Sequence, residues 1–448
     1  MSSPRVYHPP LGRKVLPWFF VLAFLITAPL VIFYTSGYRY NVKKGIIERN
    51  GTLIVDAMPA GSAVFIDGQP SKEVTPITFQ DMVPGWHTIK ITKQNYLPWE
   101  QTVLIRPERV TFANHVWLWR EVMPHLVLTE PIASITSDPL REKASLILAS
   151  ASSSPALAFW APGQRMVISG GLTGATILPG MLRWRDDGQA ILVNGLNITS
   201  PSWWSLANQK SIKPTQLSPA LYHWSDSGLI GNDGSRVTHT DPERRLSTIT
   251  PLKTNEVAKS TNMQLETASS TKDLMLADHS FLTRLFALPR GAWNFADIER
   301  PYVLLKNQDA WLTAVGREPM WLAVELKFGT PYAETVHGDF PRWLPQAKTP
   351  TALFVNQNEL WSFVMGQTPT LLWRQSEPIV QAAWHRSGDA VFIANQQSIF
   401  ALTIASAQPT VTPLTTFDRV YDMTILGKTL YVAAEKDGTR GLWSLQAE

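Results

Sequence analysis

The residue types that most often carry chemistry are spread along this chain of 448 residues without a catalytic spacing. Its nine histidines are His8, His87, His115, His125, His223, His239, His279, His337 and His385. No two of them stand at the helical or hairpin spacing that lets one element present two metal ligands. Since His223 and His385 each adjoin a tryptophan, packing beside that ring is favoured over zinc binding. The sequence therefore predicts no metal site and no cofactor.

Paired carboxylates occur at Asp186-Asp187, but Gly188 follows them directly. Asp and Gly together are typical of a turn, so a turn is favoured here over general acid–base catalysis. The phosphate-binding GxxxxGK[ST], zinc-binding HExxH, nucleophile GxSxG and calcium-binding DxDxDG patterns do not occur in the sequence, and the chain has no cysteine. We therefore expect a protein that is not an enzyme.

Trp203-Trp204 is the aromatic pair with a candidate binding role. Neighbouring residues of a strand face opposite sides, so one ring can pack inside while the other is presented to a sugar or a partner chain. Burial of both rings in a thick core is nevertheless the favoured interpretation, and a presented ring is the alternative.

An uncharged stretch runs from Val15 to Tyr38. Its first 20 residues, at 1.5 Å rise per residue, match a hydrocarbon core of about 30 Å, and Pro29 is tolerated in lipid. A cleaved signal peptide is the alternative, but the apolar part of a signal is usually only about 7–15 residues long. We predict a transmembrane helix over residues 15–36, a cytoplasmic tail over 1–14 and a juxtamembrane stalk over 37–50.

The basic residues that flank this stretch nearly balance. Arg5, Arg13 and Lys14 precede it, and Arg39, Lys43, Lys44 and Arg49 follow it. Charge alone therefore does not set the orientation, but a single N-terminal anchor normally exports the long region behind it. We expect a single-pass protein of the cell membrane with its N-terminus in the cytoplasm and its C-terminal domains outside.

The remaining composition is typical of folded domains. Charged residues make up 17% of the chain and aromatic residues 10%, including 18 tryptophans. About 410 residues exceed what one hydrophobic core usually serves, so two or more domains are expected. The net charge of +4 comes without a run of five Lys or Arg residues, so nucleic acid is not an expected partner.

Short apolar runs separated by turn residues predict an all-β module over residues 51–120. The runs are Thr52–Ala57, Ala63–Ile66, Trp86–Thr92, Trp99–Ile105 and Val110–Trp119. Asp67-Gly68 is a hairpin signal, because a type I′ turn needs positive φ at both central residues.

This module resembles a PEGA domain, a small β-sandwich of bacterial and archaeal surface proteins. The similar segments are Pro59-Ala60-Gly61-Ser62, Val64-Phe65-Ile66-Asp67-Gly68, Thr75-Pro76, Val83-Pro84-Gly85 and Asn95-Tyr96-Leu97-Pro98-Trp99. The resemblance implies a structural or adhesive role without catalytic residues. We predict turn roles for Pro59, Gly61, Asp67, Gly68, Pro84 and Gly85.

A tryptophan repeat follows Arg120. The segments that start at Trp184, Trp224 and Trp384 and end at Gly188, Gly228 and Gly388 share the pattern Trp-x-x-[Asp/Ser]-Gly. The first two tryptophans are 40 residues apart, and the third lies 160 residues further on. A period of about 40 residues is the length of one four-stranded propeller blade. We therefore predict a β-propeller over residues 121–448, in which a tryptophan fills the wedge between neighbouring sheets.

The repeat resembles that of TolB-type propellers, whose blades open on Trp-Ser-Pro-Asp-Gly. None of the three copies has the proline, and only the copy at Trp184 keeps Asp before Gly. Counting the second strand of each expected blade predicts eight blades, and seven is the alternative. These strands lie at or near Trp160, Trp203-Trp204, Val237, Leu285, Trp311, Trp361, Phe400 and Trp443. The polar stretch from Thr250 to Ser270 is predicted to be a long loop or a degenerate blade, with a functional insertion as the alternative.

The expected fold class is thus all-β, with one N-terminal transmembrane helix, a small PEGA-like β-sandwich and a β-propeller. Two interaction-type modules on an anchor predict an extracytoplasmic binding or structural protein of the cell envelope, with a protein or glycan partner. The alternative is an envelope enzyme, a propeller hydrolase or lyase acting on peptide or glycan, because propeller active sites are assembled from different blades. A third interpretation is an assembly factor that works with membrane partners through an apolar patch on the propeller rim.

Overall fold

Helix α1 spans Leu11–Thr35 and begins four residues before the predicted segment. Its large apolar side chains between Trp18 and Phe33 are mostly exposed. The hydroxyls of Thr27 and Thr35 donate to the carbonyls of Ala23 and Val31 at 2.8 Å, so their hydrogen bonds are made within the helix. No helix in the described part of the chain is long and apolar enough to cross a membrane.

The computed structural model describes residues 11–35, 38–41, 46–149, 155–171, 182–185, 187–193, 202–206, 214–216, 221–225, 228–232, 236–241, 246–251, 304–307, 310–314, 320–325, 332–339, 341–345, 347–349, 351–364, 367–405 and 409–446. The chain divides into one compact unit within residues 1–118 and a second within residues 119–405 and 409–448.

In the first unit, the expected stalk contains a hairpin of β1 (Tyr38–Asn41) and β2 (Ile46–Arg49). The strands that follow are β3 (Gly51–Met58), β4 (Ala63–Ile66), β5 (Gln69–Val74), β6 (Ile77–Met82), β7 (Gly85–Thr92), β8 (Trp99–Ile105) and β9 (Val110–Trp117). They form two sheets, in the orders β6-β3-β9 and β5-β4-β7-β8, and β3 runs parallel to β9. The result is a small β-sandwich.

Alternating apolar residues build the core of this sandwich, because successive side chains of a strand face opposite sides. Leu53, Val55 and Ala57 of β3 are fully buried, and so are Ile89 and Ile91 of β7. At the β4–β5 hairpin, Asp67 and Gly68 have φ values of 50° and 81°. Both are positive, as a type I′ turn requires.

The second unit contains 28 strands within the described residues. The first half comprises β10 (His125–Leu128), β11 (Ile132–Ser137), β12 (Ala144–Leu148), β13 (Ala156–Trp160), β14 (Val167–Gly171), β15 (Leu182–Trp184), β16 (Ala190–Val193), β17 (Ser202–Ser205), β18 (Pro214–Gln216), β19 (Leu221–Ser225), β20 (Gly228–Asn232), β21 (Arg236–Asp241), β22 (Leu246–Pro251) and β23 (Leu304–Asn307). The second half comprises β24 (Ala310–Ala314), β25 (Met320–Glu325), β26 (Tyr332–His337), β27 (Arg342–Trp343), β28 (Thr351–Asn356), β29 (Glu359–Val364), β30 (Thr370–Arg374), β31 (Gln381–Trp384), β32 (Ala390–Ala394), β33 (Ser398–Thr403), β34 (Thr410–Thr416), β35 (Arg419–Leu426), β36 (Thr429–Lys436) and β37 (Thr439–Leu445).

These strands form seven antiparallel four-stranded sheets among the described residues. Six sheets use consecutive strands, from β11–β14 to β31–β34, and the seventh has the order β10-β37-β36-β35. The strand from the start of the unit thus completes the sheet made by the last three strands, with His125 opposite Ser444. This closure and the repeated four-stranded sheets are the architecture of a β-propeller.

The number of blades stays a prediction. The strands expected near Trp160, Trp203, Val237, Trp311, Trp361, Phe400 and Trp443 fall in seven separate sheets. The eighth expected strand, near Leu285, and most of the irregular stretch from Thr250 to Ser270 lie outside the described residues.

The repeated tryptophans join neighbouring sheets through hydrogen bonds. The indole Nε1 of Trp184 on β15 donates to the carbonyl of Thr136 on β11 at 3.2 Å. Trp224 on β19 donates in the same way to Arg183 on β15 at 2.9 Å, and Trp384 on β31 to Arg342 on β27 at 2.9 Å. Each bond links the first strand of one sheet to the first strand of the preceding sheet. The rings of Trp184 and Trp384 also pack in cores that contain residues of both sheets, so each of these side chains joins its sheets by packing and by its N–H.

The glycines of the repeat make the turn between the first and second strands. The amide of Gly188 donates to the carbonyl of Arg185 at 2.8 Å, and the amide of Gly388 to that of His385 at 3.1 Å. Their φ values are 64° and 79°, a region that favours glycine. Gly228 begins β20 and pairs with Ser225.

Candidate functional site

Polar side chains on the first strands of successive sheets form a connected chain of hydrogen bonds. We name this group the polar belt; it consists of Asp339, Arg342, Gln381, Asp422 and Ser134. Arg342 lies on β27, Gln381 on β31, Asp422 on β35 and Ser134 on β11, so the belt crosses four neighbouring sheets. Because β35 and β11 belong to the last and first sheets, the belt spans the closure of the ring.

Arg342 is held at one end of the belt by a bidentate pair. Its two terminal nitrogens donate to the two carboxylate oxygens of Asp339, each at 2.7 Å, and its Nε donates to Oε1 of Gln381. Burial by itself lowers the pKa of Arg342, but the nearby charge and hydrogen bonds of Asp339 offset this, and the net shift is upward. The guanidinium is therefore fully compensated by protein groups.

Asp422 is the centre of the belt and is almost completely buried. Its Oδ1 accepts from Nε2 of Gln381 at 2.7 Å and from the amide of Met423 at 2.8 Å. Its Oδ2 accepts from Oγ of Ser134 at 2.6 Å and from the amide of Ile135 at 3.0 Å. Burial raises the pKa of Asp422, although these four donors act in the opposite direction. Three of these four hydrogen bonds join β35 to β11 or β31, and the fourth, from Met423, lies within β35, so the carboxylate has a structural role.

Arg183, like Arg342, lies on the first strand of its sheet and directly precedes a tryptophan. Its neighbours Leu182 and Trp184 pack in the core shared with β13, so Arg183 faces the other side of β15. Its Nε is buried and has no hydrogen-bond partner among the described residues. Burial lowers the pKa of Arg183 to about 10, so the side chain keeps its charge at neutral pH.

Trp203 and Trp204 are both buried, with exposed fractions of 9% and 3%. Trp204 packs in the core with Trp184, whereas Trp203 packs on the opposite face and meets Trp224 edge to face with centroids 6.4 Å apart. The expected alternation is present, but each face of this strand is covered by a neighbouring sheet. Both rings are therefore buried, as the sequence favours, and the alternative of a ring presented for binding is wrong.

The carboxylate of Asp187 stays within its own turn. Its Oδ2 lies 2.6 Å from a terminal nitrogen of Arg185, and its Oδ1 accepts from the amide of Gln189 at 2.8 Å. The hydrogen bond from Arg185 is the main reason that the pKa of Asp187 lies below its usual range. Asp186 lies outside the described residues. This geometry indicates a turn role for Asp187.

Two of the histidines, His385 and His87, are held by contacts within the fold. His385 is buried edge to face against Trp119, with centroids 5.6 Å apart, and its Nδ1 lies 2.7 Å from Oγ of Ser387. In the sandwich, Nδ1 of His87 lies 2.7 Å from Oδ2 of Asp67, while the amide of Thr88 donates to Oδ1 of the same carboxylate at 2.9 Å. No cluster of His, Asp or Glu in the described part of the chain could hold a metal ion.

The remaining turn residues of the sandwich lie in loops between strands. Gly61 has a φ of 75°, and its amide donates to the carbonyl of Thr75 at 2.8 Å. The carbonyl of Pro59 accepts from Oγ of Ser62 at 2.7 Å. Pro84 precedes β7, and Gly85 begins it.

Comparison with known proteins assigns part of the chain to a family. Residues 50–116 match the model of the PEGA domain family. Among curated proteins, none matches the chain. The beta-propeller domain of Myceliophteria thermophila Cps50 (Swd1) is a similar solved structure, with 10% sequence identity and a TM-score of 0.45, over 72% of this chain and 98% of that chain.

The sequence interpretation did not identify the polar belt. Its members are single polar residues far apart in the chain, such as Ser134 and Asp422, and only the closure of the ring brings them together. One local signal was present: an Arg-Trp dipeptide occurs at residues 183–184 and again at 342–343, on the first strands of two sheets.

Proposed function

We propose that this chain is a membrane-attached, extracytoplasmic binding or structural protein that presents a PEGA domain and a β-propeller to a protein or glycan of the cell envelope. The observation that carries the proposal is the closed propeller fold, joined in one chain to a PEGA domain. Both are folds that present surfaces, and the buried carboxylate of Asp422 is engaged in joining sheets. The TolB-like type stays a prediction from the repeat.

Membrane attachment through the apolar segment is part of the same proposal. It is supported by the run of exposed apolar side chains on α1, including Phe20, Phe24 and Leu25. Exposed apolar surface of this size on a helix favours contact with lipid or with an apolar partner. The span over residues 15–36 stays a prediction.

Fractionation of cells that express the full chain tests the attachment. We expect the protein in the membrane fraction after high-salt and carbonate washes, and in solution only after detergent. Replacing both Leu22 and Leu25 by Arg is expected to release it, because each Arg at the centre of an apolar segment costs about 2.5–3.5 kcal/mol. Leu140→Arg, at an exposed position in the second unit, is the matched control and leaves the distribution unchanged.

Two experiments on intact cells test the location and the binding role. Protease added from outside is expected to digest the propeller. In a separate sample without protease, we expect the propeller to be crosslinked to an envelope protein or glycan. A wild-type protein found in the soluble fraction, or protected from external protease, would contradict the proposal.

A further inference from the structure

Arg183 and Arg342 occupy equivalent positions in two repeats of the propeller. Each directly precedes a tryptophan on the first strand of its sheet. Each also offers its carbonyl to the tryptophan of a following sheet, with Trp224 donating to Arg183 and Trp384 to Arg342, both at 2.9 Å. The two arginines can therefore be compared position by position.

The partners of Arg342 have no counterparts at the corresponding sequence positions of the repeat that contains Arg183. Asp339 stands three residues before Arg342, and Gln381 stands three residues before Trp384. At the corresponding positions, three residues before Arg183 and Trp224, the sequence has Gly180 and Leu221. Neither residue type has a side-chain acceptor. The repeat that contains Arg183 therefore lacks, at these sequence positions, the carboxylate and the amide that hold Arg342.

The surroundings of Arg183 agree with a lack of compensation by described residues. Its Nε is buried without an acceptor among them, whereas Nε of Arg342 donates to Gln381. The adjacent Arg185 is already paired with Asp187. Arg183 as a whole is partly exposed, so a ligand can reach it, and a charged group whose buried Nε has no acceptor among the described residues favours an anion that supplies one.

We propose that Arg183 is a binding site for a carboxylate group of a ligand, which takes the place that Asp339 takes for Arg342. The planar guanidinium matches the two oxygens of a carboxylate, and the Arg342–Asp339 pair shows that geometry within the same fold. A free organic acid and the acidic side chain of a peptide share this chemistry. The inference goes beyond the proposed function and concerns the propeller alone.

Thermal unfolding of the purified full chain in detergent tests the site. Sodium acetate replaces sodium chloride in increasing amounts at constant ionic strength. In a second series, N-acetyl-glutamate amide is added instead, because it carries the acidic side chain of a peptide. A ligand that binds only the folded state raises its melting temperature, and we expect a rise of about 2–4 °C at saturating acetate. If the rise in melting temperature saturates at a lower concentration of the glutamate derivative than of acetate, the carboxylate that Arg183 binds best is that of a peptide side chain.

Three variants distinguish the proposed site from a general effect of anions. Arg183→Gln is expected to abolish the response to acetate. Gly180→Asp adds a carboxylate three residues before Arg183, the sequence position that Asp339 holds before Arg342, so it should raise the melting temperature without acetate and also abolish the response. Arg185→Gln is the control and should keep it, because Arg185 is already paired.

Absence of a response in the wild-type chain, or an equal response in wild type and Arg183→Gln, would overturn the proposal. If Arg183→Gln does not fold, an unchanged response in Gly180→Asp would overturn it as well. None of these outcomes depends on the membrane fractionation, so the two proposals can fail separately.

Discussion

Asp422 shows how one side chain can join three strands of the propeller, which are β35, β11 and β31. Its two oxygens accept four hydrogen bonds, from Ser134, Ile135, Gln381 and Met423. Truncating it leaves those donors buried without their acceptor, and each unsatisfied buried group costs about 1–3 kcal/mol. The residue is therefore a sensitive probe of the closed ring.

Asp422→Ala is expected to lower the free energy of unfolding by about 2–4 kcal/mol, measured by urea denaturation. Asp418→Ala is the control, because Asp418 is exposed and accepts one hydrogen bond, from the amide of Gly438 at 3.2 Å. The control should change stability by less than about 0.5 kcal/mol. Equal effects of the two substitutions would show that the belt does not contribute to stability.

The same residue predicts a pH dependence. Because burial raises the pKa of Asp422, the folded protein binds this proton more tightly than the unfolded chain does. The stabilising contribution of the group is therefore fully present below the usual Asp pKa and decreases as the pH rises through the raised pKa. Unfolding measured from acid to neutral pH should show the wild type losing stability relative to Asp422→Asn over that interval, and a constant difference would contradict this.

At the scale of elements, the tryptophans on the first strands of the sheets donate hydrogen bonds in addition to packing between neighbouring sheets. The bond from Trp384 to the carbonyl of Arg342 joins β31 to β27, and replacement of the ring by phenyl removes the donor while keeping most of the apolar area. The buried carbonyl then loses its partner.

Trp384→Phe is expected to destabilise the protein by about 1–3 kcal/mol and to speed amide hydrogen exchange in both β27 and β31. Trp86→Phe is the control, since that ring is 69% exposed on the sandwich. Faster exchange confined to β31 would indicate lost packing alone and would contradict the linking role of the indole.

Strands with an alternating or continuous apolar pattern were predictable from the sequence. The expected runs Ala63–Ile66 and Trp99–Ile105 coincide with β4 and β8. The polar strand β5 was not predicted, because it is exposed along its length and its hydrogen bonds come from pairing with β4. Burial of both Trp203 and Trp204 was favoured from the sequence, but the sheets that cover each ring could not be derived from one strand.

At the scale of the whole second unit, closure of the propeller depends on β10 and β37. Gly441 on β37 lies so close to β10 that a Cβ there would collide with the carbonyl oxygen of Leu128. The position accepts only glycine because the backbone of the neighbouring strand fills the space of a side chain.

Gly441→Ala is expected to weaken the closing pair and to accelerate hydrogen exchange and proteolysis in β10 before the rest of the unit unfolds. Ser444→Ala, on the same strand, removes only the hydroxyl that donates to the carbonyl of His125 at 3.3 Å and is the control. Uniform loss of stability across all sheets, without earlier opening of β10, would contradict the role of this pair.

The pairing of β10 with β37 also has a consequence for biosynthesis. Their paired residues His125 and Ser444 are 319 positions apart, so at about 5–20 residues per second the ribosome needs roughly 16–64 seconds to supply the partner of β10. During that interval the nascent chain carries an open strand edge that other polypeptides can join. The yield of correctly assembled protein therefore depends on translation speed and on chaperones that shield this edge until synthesis reaches the final strand.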